Sequence, residues 1–270
     1  MFATLFPADC RFCQTPLTNV SRLPVCQECL RKVVPIPCVT CSVCGEGLGS
    51  GIASSPASGE PLCGLCRRAA PPFARAVAYG SYDGVLRDLI HLLKYEQMHP
   101  AGKVLGESLA VAMNAVAGSF GPGAALVLPV PLHPAKLRQR GFNQAEVIAR
   151  AALKTLASKR SFAASRPELN PRILKRQRPT QSQTGLTRHQ RRENLRGAFA
   201  VVRPESVAGR EILLVDDVFT TGTTVSECAR ILRRAGASKV FVATVARTLK
   251  IGTVAPGLES IDPAGFTTAA

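Results

Sequence analysis

Paired cysteines near the amino terminus constrain this 270-residue chain more than any other feature. Nine of the ten cysteines precede residue 67, and eight of them form Cys-x2-Cys pairs. The pairs are Cys10 and Cys13, Cys26 and Cys29, Cys41 and Cys44, and Cys63 and Cys66. The same segment is rich in Pro and Gly and has few long apolar side chains, so it needs cross-links or metal ions to fold.

The spacing of the pairs favours two zinc sites. Each Cys-x2-Cys turn presents two thiolates to one ion, and a second turn completes a tetrahedron of sulfur ligands. A disulfide framework would require an oxidising compartment, and the first residues, MFATLFPADC, do not form an export signal. An iron–sulfur cluster could use the same ligands. We therefore expect a double zinc ribbon that is structural or binds a partner, because four thiolates leave the metal no open position.

Cys38 introduces an ambiguity, because it also has knuckle spacing to Cys41. We predict that Cys41 pairs with Cys44 instead, since Gly45 follows and permits the tight turn that directs backbone N–H groups to sulfur.

After residue 70 the pattern becomes that of an ordinary α/β domain. Apolar strands are predicted over 74–80, 125–130, 211–217 and 239–246, and helices over 86–93, 101–117, 143–157 and 223–235. This alternation indicates a parallel sheet covered by helices on both faces. The predicted organisation is a zinc ribbon over 1–70, an α/β domain over 71–250 and a flexible tail over 251–270.

A 25-residue uncharged span, Ser108–Leu132, has to be considered as a membrane helix. Its Gly and Pro residues favour a helix end, a turn and a buried strand instead. We therefore expect no membrane insertion, and without an export signal the expected location is the cytoplasm.

The most informative motif for function is ILLVDDVFTTGTT, which spans 212–224. An apolar strand ends in Asp216 and Asp217, and a Thr-rich loop around Gly222 leads to a helix. Backbone N–H groups, Thr hydroxyls and the positive end of the helix can all converge on one anion. The motif is neither a Walker loop nor GxGxxG. Carboxylates beside such an anion-binding loop suit a phosphorylated ribose. They could accept hydrogen bonds from the ribose hydroxyls or bind Mg²⁺.

This motif resembles the phosphoribosyl pyrophosphate (PRPP) binding motif of type I phosphoribosyltransferases. The resemblance implies a type I phosphoribosyltransferase fold that binds PRPP together with Mg²⁺. In this fold the two acids hold the ribose of PRPP and the loop holds its 5-phosphate. The implied loop residues are Thr220, Thr221, Gly222, Thr223 and Thr224. Thr223 departs from the pattern, since many members have a second glycine there.

Further segments resemble the ComF family of competence proteins. They are the cysteine ribbon, PVPLHPAKLRQRGFNQA (129–145) and QSQTGLTRHQRRENLRGAF (181–199). The resemblance implies that Pro131, Leu132 and Lys136 belong to a pyrophosphate loop and that 181–196 forms a flexible lid. It also implies a role in DNA uptake with a helicase partner, and it leaves the acceptor of a phosphoribosyl transfer unidentified.

Positive charge is concentrated in one stretch. The chain has a net charge of +16, and residues 133–196 contain sixteen basic and three acidic side chains. Three interpretations remain open for this stretch: a solvated surface, a lid whose Arg188, Arg191 and Arg192 neutralise leaving pyrophosphate, or a face that binds single-stranded DNA.

Overall fold

The computed structural model describes residues 8–17, 21–49, 59–121, 125–159, 167–179 and 187–249. The tail predicted over 251–270 and residues 181–186 of the predicted lid lie outside these ranges. In chain order the elements are α1 (Gln27–Arg31), α2 (Gly64–Arg68), β1 (Arg75–Ser81), α3 (Gly84–Tyr95), α4 (Ala101–Ala117), β2 (Leu126–Pro129), α5 (Pro134–Arg140), α6 (Gln144–Ser158), β3 (Glu168–Leu169), β4 (Leu174–Arg176), α7 (Arg188–Leu195), β5 (Phe199–Val201), β6 (Glu211–Phe219), α8 (Thr223–Arg234) and β7 (Lys239–Arg247).

Five strands form one parallel sheet in the order β1-β7-β6-β2-β3. In the register of the central strands, Leu214 of β6 lies beside Leu128 of β2 and Val242 of β7. These strands are continuous apolar runs because both faces of a parallel sheet are buried. All carboxyl ends meet at one edge, which is where open parallel sheets bind ligands.

Helices cover both faces of this sheet. On one face, Leu213 and Val215 of β6 pack in a core with residues of α3, α4 and α6. On the other, Ile212 and Leu214 pack in a core with residues of α8. Successive residues of a strand point to opposite faces, so β6 supplies both cores. A separate antiparallel ribbon pairs β4 with β5.

The predicted elements of the α/β domain are confirmed, with ends that shift by one or two residues. The predicted helical stripe is buried along α3 at Leu86, Leu89, Ile90 and Leu93. Asn143 caps α6 as expected, because its side chain accepts a hydrogen bond from the Ala145 N–H at 3.1 Å. The parallel sheet with helices on both faces is therefore the predicted fold class.

The cysteine-rich segment packs against both cores. Cys10 and Cys29 are buried in the core beneath α3 and α4. Val43 and Cys44 pack against the core on the α8 side, and the Ala76 N–H of β1 donates to the Val43 carbonyl at 2.7 Å. The segment thus obtains from the sheet the apolar contacts that it cannot provide for itself.

Of the helices in the described ranges, none has the length and apolar character needed to cross a membrane. The helix within the uncharged Ser108–Leu132 span, α4, ends at Ala117.

Helices α4 and α6 approach each other closely at Gly106. A Cβ atom added there would lie 2.4 Å from the Ala151 Cβ and 2.9 Å from the Ala152 nitrogen. The latter is backbone and cannot rotate away. The absence of a side chain at Gly106 therefore sets the distance between these two helices.

We expect Gly106→Ala to lower the free energy of unfolding by about 1–2 kcal/mol, since overpacking outweighs the gain in helix propensity. Urea denaturation measures the difference. Gly102→Ala is the matched control, because its nearest contact is a movable methyl group, Val147 Cγ1, at 2.9 Å. A stabilised Gly106→Ala protein would show that helix propensity dominates and that the close approach carries no cost.

Candidate functional site

Two acids and a Thr–Gly loop (Thr220–Thr224) lie at the carboxyl end of the central strand. Strand β6 includes Asp216 and Asp217 and continues to Phe219, two residues beyond the predicted end. The loop then leads directly to α8 at Thr223. The hydroxyls of Thr221 and Thr223 lie 2.8 Å apart and form a hydrogen bond. Strand, acids, loop and helix therefore follow one another as predicted.

Gly222 shapes the loop. Its φ of 73° is left-handed, and it stands at the N-cap of α8 without a side chain to cap the helix. The N–H groups of the first helical turn therefore face the loop side, where an anion could accept from them. The ring of Phe219 fills the space behind the glycine, so that an added Cβ would lie 2.4 Å from the Phe219 Cζ.

Asp217 is almost fully buried and its carboxylate is paired. It is 4% exposed, forms an ion pair with Lys94 of α3 and accepts a hydrogen bond from the Gln144 Nε2 at 3.3 Å. Gln144 in turn accepts from the Arg140 guanidinium. Burial alone would raise the pKa of Asp217, but the charge of Lys94 and the hydrogen bonds with Asp216, Lys94 and Gln144 together outweigh burial and lower it. Asp217 is thus the ionised member of the acidic pair.

Asp216 has different surroundings. Burial and the negative charge of Asp217 raise the pKa of Asp216 well above its usual value. Its Oδ1 accepts a hydrogen bond from the Asp217 N–H at 2.9 Å. Both acids are predicted to hold the ribose. The structure ties Asp217 into the protein and leaves Asp216 as the more accessible carboxyl.

Four cations surround the acidic pair. Burial and the charges of Arg140, Lys94 and Arg176 lower the pKa of Lys136. Burial also lowers the pKa of Arg176, whose guanidinium lies 5.4 Å from the centre of the Phe199 ring. Several cations whose charges act on Lys136 form a site suited to a multiply charged anion. Sequence reasoning identified only Lys136 among the four.

The predicted pyrophosphate turn lies beside β6. The Val130 N–H donates to the Val215 carbonyl at 2.8 Å, and the Asn143 Nδ2 donates to the Val130 carbonyl at 3.0 Å. Pro131 and Leu132 follow this anchor and are half-buried, whereas Lys136 is exposed. Because α5 begins at Pro134, Lys136 is a residue of the first helical turn and not of the turn before it.

The described part of the predicted lid is a helix. Thr187 and Gln190 form a capping box at the start of α7, and α7 packs against α8. On this helix Arg191 is half-buried and Arg192 is exposed, while the side chain of Arg188 lies outside the described structure. The three arginines therefore belong to an element that contacts the helix following the Thr–Gly loop.

The cations that the motif analysis did not identify carried unequal signals in the sequence. Arg140 lies inside the RGFNQ segment, at the end of α5 and four positions before Gln144, the first residue of α6. Lys94 had no such signal, because 123 residues separate it from Asp217.

Replacing Gly222 with Ala should destabilise the protein by about 2–3 kcal/mol, through a left-handed conformation and a clash with Phe219. Gly209→Ala is the control, because Gly209 has a φ of 70° and nothing within 4 Å of an added Cβ. It should cost only about 1–2 kcal/mol. If urea denaturation shows the same loss of unfolding free energy for both variants, the clash with Phe219 does not contribute to the effect of Gly222→Ala.

The eight paired cysteines form two clusters. Within each, the four sulfur atoms lie within 4.8 Å of one another. The first contains Cys10, Cys13, Cys26 and Cys29, and the second contains Cys41, Cys44, Cys63 and Cys66. Cys38 belongs to neither, as expected. Gly45 has a φ of 71°, which is the tight turn predicted after Cys44.

Sulfur separations fit zinc better than disulfides. Four ligands at about 2.3 Å from a tetrahedral ion lie about 3.8 Å apart. The sulfurs of Cys10 and Cys29 are 3.8 Å apart, and those of Cys44 and Cys63 are 3.6 Å apart. A disulfide would require about 2.05 Å. Both clusters could therefore bind a zinc ion without rearrangement.

Backbone hydrogen bonds prepare one thiol in each cluster. Burial disfavours the Cys10 thiolate, but N–H donors from Cys26, Cys13 and Phe12 outweigh burial and lower its pKa to about 6. Cys41 is lowered to a pKa of about 7 by the same balance. Burial instead raises the pKa of Cys29 to about 12. Such thiols become thiolates only with a positive ion at the centre of the cluster.

We expect the purified protein to contain two zinc ions per chain. Cys44→Ser should reduce the content to one, whereas Cys38→Ser should leave it at two. Elemental analysis with native mass spectrometry measures both. Iron in place of zinc, or loss of an ion on replacing Cys38, would contradict the assignment.

Comparisons with known proteins identify a domain type and similar proteins along most of the chain. A family profile described as "Phosphoribosyl transferase domain" matches residues 155–252. The chain is 32% identical over 245 residues to the DNA utilization protein YhgH of Salmonella typhi, covering 90% of this chain and 98% of that protein. It is 29% identical over 246 residues to competence protein F of Haemophilus influenzae, with the same coverage of both.

Solved structures show weaker similarity. A structure titled as the allosteric regulatory enzyme of purine biosynthesis is 23% identical, with a TM-score of 0.30 and coverage of 54% of this chain and 26% of that one. The chain thus spans about a quarter of that enzyme. A hypoxanthine phosphoribosyltransferase from Staphylococcus aureus is 11% identical, with a TM-score of 0.34 and coverage of 59% and 71%.

Proposed function

This chain belongs to the ComF family of competence and DNA-utilization proteins, and we propose that it binds PRPP with Mg²⁺ at the carboxyl end of β6. The proposed reaction transfers the phosphoribosyl group to an acceptor and releases pyrophosphate. We also propose that 1–70 and 71–250 act as separate modules, a double zinc ribbon and a phosphoribosyltransferase domain.

One observation carries the proposal: the Thr–Gly loop directly follows the acidic pair at the end of β6, and the charges of Lys94, Lys136 and Arg176 act on the same pair. A 5-phosphate on the loop would accept hydrogen bonds from the first-turn N–H groups of α8 and from the hydroxyls of Thr220, Thr221, Thr223 and Thr224. The ribose would then lie over Asp216. Asp217 acts in this scheme by holding Lys94 and Gln144 in place.

The diphosphate would lie toward the cations. Lys136 and Arg140 of α5 and Arg176 of β4 would neutralise its charge, and Pro131 and Leu132 would form the turn beside it. Arg188, Arg191 and Arg192 of α7 would close over the bound sugar. The acidic pair would help to hold Mg²⁺, which would reduce the negative charge that the site has to neutralise.

Transfer forms a bond between the nucleophilic atom of the acceptor and C1 of the ribose and breaks the bond from C1 to the diphosphate oxygen. Pyrophosphate leaves with the electron pair of that bond, and the proton of the acceptor passes to solvent. The cations stabilise the negative charge that develops on the leaving oxygen. The loop and Asp216 hold the sugar in position for attack. We assign this chemistry to the cytoplasm, because thiols that serve as metal ligands persist in reducing compartments.

A second candidate function is the binding of single-stranded DNA as an uptake adaptor with a helicase partner. Two observations favour it: the names of the relatives, and the sixteen basic residues within 133–196. Contacts to phosphates would give an affinity that falls steeply as the salt concentration rises.

A binding screen tests both functions. Saturating PRPP with Mg²⁺, at about 100 times its Kd, should stabilise the protein by about 2.7 kcal/mol. Lys136→Gln should weaken PRPP binding about tenfold, because a charged contact is lost. Lys103→Gln is the control, since Lys103 is an exposed lysine of α4. Isothermal titration calorimetry measures the affinities, and Asp216→Asn should also weaken binding.

The other outcomes are equally informative. Stabilisation by single-stranded DNA at low salt without any effect of PRPP would reject PRPP binding and favour the adaptor. PRPP binding with no pyrophosphate released in the presence of any nucleobase or amine acceptor would reject the transferase step and retain the ligand.

A further inference from the structure

Arg247, the last residue of β7, is a buried cation in contact with the second cysteine cluster. It is 3% exposed. Its Nη1 donates to the Cys44 carbonyl at 2.6 Å, and its Nη2 forms an ion pair with the buried carboxylate of Glu46. Cys44 is a predicted metal ligand, and Glu46 lies two residues after it. The guanidinium is thus bound to the turn that carries one of the four sulfurs.

The same guanidinium contacts the element beneath the Thr–Gly loop. It lies 4.4 Å from the centre of the Phe219 ring, and the register of the sheet places Phe219 beside Arg247. The opposite part of that ring fills the space below Gly222. A continuous series of contacts therefore runs from Cys44 through Arg247 and Phe219 to Gly222.

The turn that Arg247 binds depends on metal ligation for its shape. Two short hydrogen bonds close it, from the Cys41 N–H to the Glu46 carbonyl at 2.7 Å and from the Gly45 N–H to the Cys41 carbonyl at 2.8 Å. The cluster contributes a small apolar core of its own, centred on Cys41, Leu48 and Cys63. With so little apolar burial, four unliganded thiols would not hold this turn.

Loss of the turn would leave Arg247 buried without its partners. An uncompensated buried charge is costly, so the guanidinium would move toward solvent. Phe219 would then lose the cation stacked on its ring, and the loop above Gly222 would lose its support. The Thr–Gly loop would therefore have two arrangements, one when the cysteine turn is intact and one when it is lost.

The first cluster offers an internal comparison. Arg11, which lies between Cys10 and Cys13 in the chain, forms an ion pair with Glu96 at the end of α3, and both side chains are about half exposed. Cys10 and Cys29 pack on the α3 side of the sheet, away from the core that contains Phe219. An exposed pair of this kind contributes little to stability.

We propose that zinc in the second cluster positions the Thr–Gly loop through Arg247 and Phe219, so that zinc at that cluster and PRPP at the loop bind with positive coupling. This inference rests on the proposed binding of PRPP. Arg247 and Glu46 are positioning residues in this scheme and do not touch the sugar. Because coupling is reciprocal, PRPP must raise the affinity for zinc by the same factor by which zinc raises the affinity for PRPP.

The test compares Arg247→Met with Arg11→Met in the full chain with both zinc ions bound. Calorimetry with PRPP and Mg²⁺ should give a Kd raised about fivefold or more for Arg247→Met, and a Kd within about twofold of wild type for Arg11→Met. Arg247→Lys keeps the charge but cannot contact the Cys44 carbonyl and Glu46 at the same time, so its Kd for PRPP should lie between these values. Arg247→Met protein that retains two zinc ions and binds PRPP like wild type overturns the inference.

The zinc affinity of the wild type gives a second measurement that does not depend on a variant folding. In a competition with a zinc chelator brought to equilibrium, saturating PRPP with Mg²⁺ should lower the Kd of one of the two zinc ions about fivefold and leave the other unchanged. Equal zinc affinities with and without PRPP overturn the coupling. A wild type that binds no PRPP overturns the proposed function and this inference with it, whereas normal PRPP binding without coupling overturns the inference alone.

Discussion

The buried carboxylate of Asp217 determines how the pocket is arranged. An ionised carboxylate away from water costs several kcal/mol unless a cation and hydrogen-bond donors surround it. Lys94 and Gln144 meet that need, and they come from the last turn of α3 and the first residue of α6. Satisfying one charge therefore brings together the end of α3, the start of α6 and the end of the central strand.

This arrangement has electrostatic consequences for the rest of the pocket. With Asp217 ionised, its negative charge and burial make Asp216 hold a proton more strongly. Burial and the charges of Arg140, Lys94 and Arg176 lower the pKa of Lys136. Like charges held together by the fold store an unfavourable energy that a polyanion would relieve. The proposed ligand, with negative charge on one side and hydroxyls in the middle, would match this arrangement of charges.

The sheet and the motif were predictable from the sequence because they depend on local patterns. Apolar runs such as 211–217 and the stripe of α3 have periods that identify strands and helices, and the Cys-x2-Cys spacing identified both clusters. Strands β3 to β5 have two or three residues, too few for any period. Lys94 and Arg247 acquire their roles through contacts with residues more than a hundred positions away, and no local pattern records such contacts. The turn chemistry could be predicted, but the pairing of buried charges could not.

The cysteine segment illustrates why long-range charge pairing matters for the whole molecule. A segment with so small an apolar core can be held by metal ions alone, yet here it also packs on both faces of the sheet. The pair between Glu46 and Arg247 is buried, and a buried pair is a poor source of net stability compared with apolar packing. Its value is geometric, because the planar guanidinium can bind a carbonyl, a carboxylate and a ring at the same time. An aliphatic residue at position 247 would fill the space without fixing the cysteine turn relative to the end of β6.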